Sequence, residues 1–460
     1  MQKFIAKYGL AAHLAILAVA PLFLFPFAGK ADTGAVLLWL SALGFAWTFL
    51  EPSQRGGERL YDARRRVGEQ AKHDPLFWFS IVLVVFAGVR ALNGGISLAY
   101  NAETAAWYVS EPAFPLLPGA VGNSGFLPFA GLAALVAVVL GCRLSLGRSA
   151  RMAYLLISSA ASGASAVAAL LAAHYGLPGA VGALACDESL NAFVGLAFGL
   201  HLMAGTVALV ASFENRWNGA ILLLFLSCGG NAAGAFAFSP PYLTAALALL
   251  VVILLIYTFA YACKILQASG EFKLLVVVGV SLALGGLLVA LLMPKGVCQE
   301  RLTAMKELDL VSAGYWKSRA ALAAIAFKSW ISHLWIGTGL DSFPFDFRFN
   351  AQAEDWTLLP RGTHMHPYGW WLILAERGVV GLVAFAAPFC FLCFTFVRRM
   401  LGMFQNVCFP HPACLLGLLA FVAFVASGFF DCSLLKVEVL LATGAIMAVS
   451  AASFPKGKKT

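Results

Sequence analysis

Long apolar segments recur along the whole chain and limit what it can fold into. Each is close to the roughly 20 residues that an α-helix needs to cross a bilayer. Hydrophobic residues make up 61% of the chain and charged residues 12%, whereas soluble domains are about half apolar and about a quarter charged. The segments are continuous rather than alternating, which favours helices over a barrel. The sequence therefore predicts an all-α polytopic membrane protein with twelve spans, at 9–29, 33–50, 76–94, 125–142, 152–174, 190–212, 219–238, 241–262, 273–293, 367–397, 412–430 and 433–454.

The positions of Lys and Arg predict the orientation of these spans. Six basic residues lie in the connection 51–75, three more in 143–151, and the tail after the last segment contains KGKK, whereas 95–124 contains none. Because basic loops stay in the cytoplasm, both termini are expected there. The same loops account for the net charge of +9, so no nucleic-acid partner is expected. Among the ten cysteines, Cys186, Cys298 and Cys432 fall on the outer side, where a disulfide could form.

One long connection, residues 294–366, separates two groups of spans within a single integrated membrane domain, 1–293 and 367–460. Long loops are usually functional. Its central part predicts an amphipathic helix lying along the outer membrane face, with an apolar face formed by Trp316, Ala320, Ala323, Phe327, Trp330, Ile331 and Leu334. The following stretch GTGLDSFPF, from Gly337 to Phe345, predicts a turn.

The tenth apolar segment opens with a histidine and a proline. Pro367 suits the first position of a helix, and His366 is then a cap residue. A helix amino terminus carries unpaired N–H groups and a positive dipole end, which suit a phosphate. His366 beside it can act as an acid or a base near neutral pH. His364 has no predicted role.

Glu376 and Arg377 follow within the same segment. On a continuous helix they would lie on the order of 15 Å inside the bilayer, where charges are costly and need partners. Lys436 and Glu438 of the last segment enter from the same side. We therefore expect a buried structural network between the tenth and twelfth helices, with Gly378 and Gly381 allowing the close helix approach that it needs.

Outward-facing arginines are the remaining candidates for binding an anion. Arg319 is on the amphipathic helix, Arg90 is near the outer end of the third span, and Arg348 and Arg361 flank the approach to His366. Guanidinium groups bind phosphate with several hydrogen bonds at once.

The stretch HPYGWWLILAERGVVG, from His366 to Gly381, resembles the signature of the O-antigen ligase and polymerase superfamily. The matching residues are His366, Glu376, Gly378 and Gly381. The stretch SRAALAAIAFKSWISHLWIGTGLDSF is similar to the family's loop arginine and Gly-x-Gly turn. One departure is FSPPYLTAAL, from Phe238, which lacks the arginine of the Ser-Arg pair that members often carry there.

The resemblance implies a GT-C-like glycosyltransferase of the bacterial inner membrane, inverting and independent of metals and other cofactors. Its donor would be a glycan on undecaprenyl diphosphate, and its acceptor a hydroxyl on the periplasmic face, most simply that of lipid A–core. His366 and Arg319 would be catalytic, with Arg90, Arg348 and Arg361 binding the diphosphate. The other partners would be membrane lipids.

Three other functions stay open from the sequence. A repeat-unit polymerase would use a glycan as the acceptor, and the residues do not separate it from a ligase, although the spacing from His366 to Glu376 is typical of the ligase branch. A protein O-oligosaccharyltransferase commonly carries an added soluble region after the last helix. A transporter would place buried charges on broken helices near the middle of the membrane.

Overall fold

The computed structural model describes residues 2–54, 58–110, 114, 119–122, 124–178, 180–181, 194–214, 218–239, 241–265, 269–294, 296–297, 299, 303, 313–352, 369–405, 411–430 and 435–452. Apart from one short hairpin, the regular elements in these ranges are helices. Their bounds are α1 Gln2–Leu24, α2 Lys30–Leu50, α3 Leu60–Lys72, α4 Pro75–Leu92, β1 Leu98–Asn101, β2 Ala106–Val109, α5 Phe126–Leu140, a π-helical turn Gly141–Ser145, α6 Arg148–His174, α7 Val194–Glu214, α8 Asn218–Ala237, α9 Pro241–Ile265, α10 Ser269–Leu292, α11 Ala313–Ser332, α12 Phe343–Asn350, α13 Gly369–Gln405, α14 Pro412–Phe430 and α15 Val437–Ala452.

Eleven helices in these ranges are long and apolar enough to cross a membrane. They correspond to the first eleven of the twelve predicted segments. The twelfth segment forms α15, whose apolar part, Val437–Ala451, is shorter. The prediction of an all-α multi-pass membrane protein is therefore confirmed, with α15 as a shorter helix of the same kind.

Helix α7 lies at the centre of the bundle, where its apolar stretch Val194–Ser212 is buried throughout. Small residues let its neighbours α6 and α8 approach closely: a side chain at Gly230 would meet the carbonyl oxygen of Gly163 at 2.6 Å. The Asn231 amide donates to the Ser159 carbonyl oxygen at 2.9 Å. The interior of the bundle is thus stabilised by close packing of helix backbones and by a few hydrogen-bonded polar side chains, as is usual between helices in a bilayer.

The basic connections meet at one end of the bundle, as their charge predicts. Arg66 donates to the Leu144 carbonyl oxygen at 3.2 Å, and Arg143 pairs with Asp74 at 2.5 Å. Asp74 also caps α4, since its carboxylate accepts from the backbone N–H of Leu76 at 3.1 Å. Helix α3 lies at this end and was not predicted from the sequence.

The opposite end carries the connection between α4 and α5. It contains the antiparallel hairpin of β1 and β2, in which Tyr100 faces Trp107. The backbone of this connection reaches the long loop as well: Leu340 donates to the carbonyl oxygen of Gly119 at 2.9 Å, and Val121 donates to that of Leu340 at 3.0 Å. The segment after α11 is therefore joined to the ends of α4 and α5 on this side of the bundle.

Candidate functional site

Three helices form a separate layer at this second end of the bundle: α11, α12 and residues 369–377 of α13. We call this the three-helix layer. It has its own apolar core, distinct from that of the bundle, made of Leu322, Ile325, Ala326, Phe343, Phe347, Leu372 and Ala375. The layer brings together elements that are far apart in sequence, including those on which the sequence placed its candidate residues.

Helix α11 uses two faces for different purposes. Leu322, Ile325 and Ala326 pack into the layer, at the spacing of one helical face. Phe327 and Ile331, from the apolar face that the sequence predicted, remain 42% and 57% exposed. Trp330 is half-buried, and the Phe327 ring contacts that of Trp371 at 5.8 Å. The predicted helix is therefore present with a protein-facing side, whereas its position along the membrane surface stays a prediction.

Helix α13 is broken at Gly378, where the backbone adopts φ 63° and ψ −171°. The rings of Trp370 and Phe385 lie 6.4 and 6.0 Å from the same ring, that of Phe424. On a straight helix, 15 residues would separate them by about 22 Å. The two halves are therefore far from collinear, and the depth of 15 Å expected for Glu376 stays a prediction.

The backbone of the turn after α11 forms hydrogen bonds with the backbone groups on both sides of the break in α13. Thr338 and Gly339 donate to the carbonyl oxygens of Ala375 and Glu376 at 2.9 and 3.1 Å. In the other direction, Val379 and Val380 donate to the carbonyl oxygens of residues 334 and 335 at 3.0 and 3.1 Å. The end of one half-helix and the start of the next are thus both capped by the same turn.

Glycine is needed on both sides of this contact. Gly337 has φ 70°, and a side chain there would overlap the backbone of Glu376. A side chain on Gly378 would in turn overlap the backbone of Trp335. The predicted Gly-x-Gly turn is confirmed, and Gly378 allows a close approach to this turn rather than to another helix. Gly381 faces Phe86 of α4.

Arg90 ties the two segments together from the end of α4. Its Nη1 donates to the carbonyl oxygen of Ile336 at 2.9 Å, and its Nη2 donates to that of Glu376. The residue is 1% exposed. The sequence assigned Arg90 to the diphosphate, but most of its guanidinium is occupied by these carbonyl groups, which makes it a positioning residue of the contact.

Glu376 caps α12 instead of pairing with the last helix. Its carboxylate accepts from the backbone N–H of Phe343 at 3.5 Å and from that of Asp341. A carboxylate at a helix amino terminus is stabilised by the helix dipole. Among the described residues, no ion pair joins Glu376 to Lys436 or Arg377 to Glu438. The predicted network between the tenth and twelfth helices is therefore corrected to a contact between α13 and the loop.

Glu376 and Lys436 should show no energetic coupling in a double-mutant cycle. The change Glu376→Gln should cost about 1 kcal/mol, because the amide keeps only one of the two side-chain oxygens that can accept from the backbone of α12. Its effect should add to that of Lys436→Gln within about 0.5 kcal/mol, as for residues without a shared partner. Thermal unfolding of the two single variants and the double variant measures this. A coupling above about 1 kcal/mol would restore the pairing expected from the sequence.

The other candidates are distributed as follows. Arg348 is exposed on α12. Arg319 belongs to α11, seven residues before Ala326 of the layer's core, although its side chain lies outside the described part. Residues 353–368, which include His364, His366 and Arg361, are outside it as well, and so are Cys186, Cys298 and Cys432. Within the described ranges, no group of three or more His, Cys, Asp or Glu is placed to hold a metal ion.

One acidic group of the three-helix layer was not among the candidates predicted from the sequence. Asp346 of α12 interacts with the Thr338 hydroxyl of the docked turn, and its Oδ2 is buried without a hydrogen-bond partner. Burial raises the pKa of this carboxyl, against the opposing effects of the Thr338 hydroxyl and of His333. No motif in the sequence identifies Asp346 as a buried acid, because its burial results from the turn after α11 folding onto α12.

Asp346 should make the layer sensitive to pH. The pKa of Asp346 is higher in the folded state than in the unfolded state, where it is about 3.9. The free energy of unfolding is therefore greatest below the unfolded pKa and falls as pH rises through the folded pKa. The variant Asp346→Asn should therefore melt at a higher temperature than the native protein at pH 8, and its melting temperature should fall less as pH rises from about 4. Melting curves over this range test it, and equal slopes for both proteins would contradict it.

No model of a known protein family matches the chain, and no curated protein matches it significantly. The class is therefore defined by the fold alone: an all-α, multi-pass membrane protein with a three-helix layer docked on one end of its bundle.

Proposed function

We propose that this protein is a GT-C-like glycosyltransferase of the bacterial inner membrane, with both termini in the cytoplasm and the three-helix layer on the periplasmic face. It would move a glycan from undecaprenyl diphosphate to an acceptor hydroxyl, with O-antigen ligation to lipid A–core as the reaction. The observation that carries the proposal is the layer itself. Its core joins the helix of Arg319, the helix of Arg348 and the start of α13, which follows His366 by three residues.

The layer suits a reaction between two lipid-linked molecules. Exposed apolar side chains on α11 support a position of that helix at the membrane boundary, where a polyprenyl tail and the lipid of an acceptor would both end. Arginines and a helix amino terminus would stabilise the negative charge that develops on the leaving diphosphate. His366 would position or deprotonate the acceptor hydroxyl, and a single displacement would invert the anomeric centre.

The break in α13 is the observation that favours a transporter instead. Discontinuous helices commonly expose their ends to a substrate in transporters. Here the ends at residues 375–380 are hydrogen-bonded to the turn 334–339, and Arg90 at the end of α4 contacts both. These backbone groups are occupied, which supports a role for the break in holding the layer.

The surface glycans of a deletion strain test the proposal. Complementation with the native gene should restore normal glycan, whereas His366→Ala and Arg319→Ala should reduce it by about 100-fold or more, as expected for loss of an acid–base group or a charge-stabilising donor. The matched controls are His333→Ala in the same loop and Arg398→Ala, an exposed arginine of α13. Normal glycan with both site variants would refute the site.

The glycan that accumulates in the deletion strain separates the acceptors. A ligase should leave polymer that is not attached to lipid A–core. A polymerase should leave single repeat units attached to it. Normal glycan combined with failure to take up a small solute would support the transporter.

A further inference from the structure

One face of α4 is exposed along the helix and leads to the connection between α4 and α5. Four exposed apolar side chains at helical spacing form this face: Val82, Val85, Val89 and Leu92. The apolar stretch Pro75–Leu92 has 18 residues, about 27 Å of helix, and is just long enough to cross a hydrocarbon layer of roughly 30 Å. In a multi-pass membrane protein this face contacts lipid, and Leu92 lies at the boundary of the hydrocarbon layer.

Asn93, directly after α4, holds Phe114 at the same level. Its side-chain amide donates to the carbonyl oxygen of Phe114 at 3.0 Å, and its Oδ1 accepts from the backbone N–H of Phe114 at 2.9 Å. Asn93 is only 2% exposed, whereas Phe114 is 64% exposed. A buried amide thus fixes an exposed apolar residue beside the end of the lipid-facing helix.

The hairpin of β1 and β2 adds two aromatic rings to this surface. Tyr100 and Trp107 are opposite each other on one face of the hairpin. Their ring centres are 5.2 Å apart, and both residues are more than half exposed. The base of the hairpin is closed by Ser97 and Ser110, whose hydroxyl oxygens are 2.8 Å apart. Since Ser97 follows α4 so closely in the chain, a short and fixed stem presents the rings near the end of that helix.

The charges of the connection indicate how the hairpin meets its surroundings. Residues 95–124 contain no Lys or Arg. The tip of the hairpin is polar: Asn101 accepts from the backbone N–H of Glu103 at 2.9 Å, and Glu103 is exposed. A charged tip is costly to place in hydrocarbon. The rings on the side of the hairpin have the opposite preference, because Trp and Tyr are enriched where the hydrocarbon meets the headgroups.

We propose that the connection between α4 and α5 is a membrane-interface anchor, and that its partner is the lipid surface around the end of α4. Phe114 and the side of the hairpin that carries Tyr100 and Trp107 lie among the lipid headgroups, with the polar tip at Glu103 directed to water. The anchor continues the lipid-facing surface of α4 past the end of the helix. The indole N–H and the phenol hydroxyl reach the polar headgroups while the rings cover the edge of the hydrocarbon.

This anchor fixes the height of the three-helix layer above the lipid headgroups. Leu340, in the turn that docks on α13, donates to the carbonyl oxygen of Gly119 at 2.9 Å and accepts from Val121 at 3.0 Å. Both partners belong to the connection between α4 and α5. The layer is therefore bonded to a segment that itself rests on the membrane surface. The inference depends on this connection alone and not on glycan transfer.

Quenching of tryptophan fluorescence by brominated lipids tests the position of Trp107. The full-length protein is placed in nanodiscs of phosphatidylcholine that is brominated either near the glycerol end or near the methyl end of its acyl chains, and potassium iodide serves as the quencher in water. The difference between the native protein and Trp107→Phe gives the fluorescence of Trp107. Bromine near the glycerol end should quench it at least about two-fold more than bromine near the methyl end, as for a ring at headgroup depth, and iodide should quench it weakly.

Trp39 is the matched control, because it is near the middle of the apolar stretch Asp32–Leu50 of α2 and is exposed. The fluorescence lost in Trp39→Phe should show the opposite order, with the strongest quenching by bromine near the methyl end. If Trp107→Phe does not purify, Trp107→Tyr gives the same difference.

Three results would overturn the proposal. Strong quenching of Trp107 by iodide and by neither lipid would place the hairpin in water, free for a soluble partner such as a glycan. Stronger quenching by bromine near the methyl end would place the ring deep in the hydrocarbon. Quenching by none of the three reagents would mean that protein covers the ring. None of these results depends on the glycan profile.

Discussion

Replacing Gly378 with alanine should prevent the three-helix layer from docking. The backbone there lies in a region that is essentially restricted to glycine, at φ 63° and ψ −171°. A side chain would also approach the backbone nitrogen of Ile336 to 2.6 Å, and backbone cannot move aside as a flexible side chain can. We expect a loss of about 3–5 kcal/mol, seen as a lower melting temperature and faster hydrogen exchange at Val379 and Val380.

Gly402→Ala is the matched control in the same helix. Nothing lies within 4 Å of the position that its side chain would occupy. Alanine has a higher helix propensity than glycine by about 1 kcal/mol, so this variant should be neutral or slightly more stable. Equal behaviour of the Gly378 and Gly402 variants would mean that the break is not required.

Replacing Arg90 with methionine should have the next largest effect. The side chain retains much of its apolar volume but loses both donors, which leaves the carbonyl oxygens of Ile336 and Glu376 without their charged partner. Two charge-assisted hydrogen bonds, less the cost of burying the charge, amount to about 3 kcal/mol. Arg90→Lys should recover only part of this, because a single ammonium group does not present the planar pair of donors.

The comparison for Arg90 is the same substitution at the exposed Arg398. Thermal unfolding of Arg398→Met should match that of the native protein. Limited proteolysis adds a local measurement, since the undocked turn at 334–339 should be cleaved faster in the Arg90 variant. Equal stability and equal cleavage in the two variants would show that Arg90 does not hold the layer.

The spans were predictable because a bilayer imposes one length and one chemistry on every crossing helix. The grouping of the basic connections followed from charge alone. Helix α3 and the hairpin of β1 and β2 escaped prediction for a different reason. Helix α3 is short and polar, and it buries only a narrow stripe of Ala63, Val67 and Ala71, which leaves little apolar pattern to detect. The strands of the hairpin have four residues each, which is too short for a clear alternation.

The break in α13 could not be predicted from the local sequence. The apolar pattern continues on both sides of Gly378, and the adjacent charges of Glu376 and Arg377 indicated only that partners were needed. The partners of the Glu376 carboxyl are the backbone N–H groups at the start of α12, and the Glu376 carbonyl oxygen accepts a hydrogen bond from Arg90. Backbone acceptors carry no residue signature, so side-chain pairing with Lys436 was the natural but incorrect expectation.

The hydrogen bonds across the break also constrain the order in which the chain folds. The N–H groups of Val379 and Val380 find their acceptors at residues 334 and 335, upstream of α13. Residues 379–402 are long enough to enter the bilayer on their own, at about 36 Å of helix, whereas residues 369–377 acquire their position only when the turn arrives. Membrane insertion and completion of the layer are therefore separable events, and a variant that blocks docking should still be inserted with its normal topology.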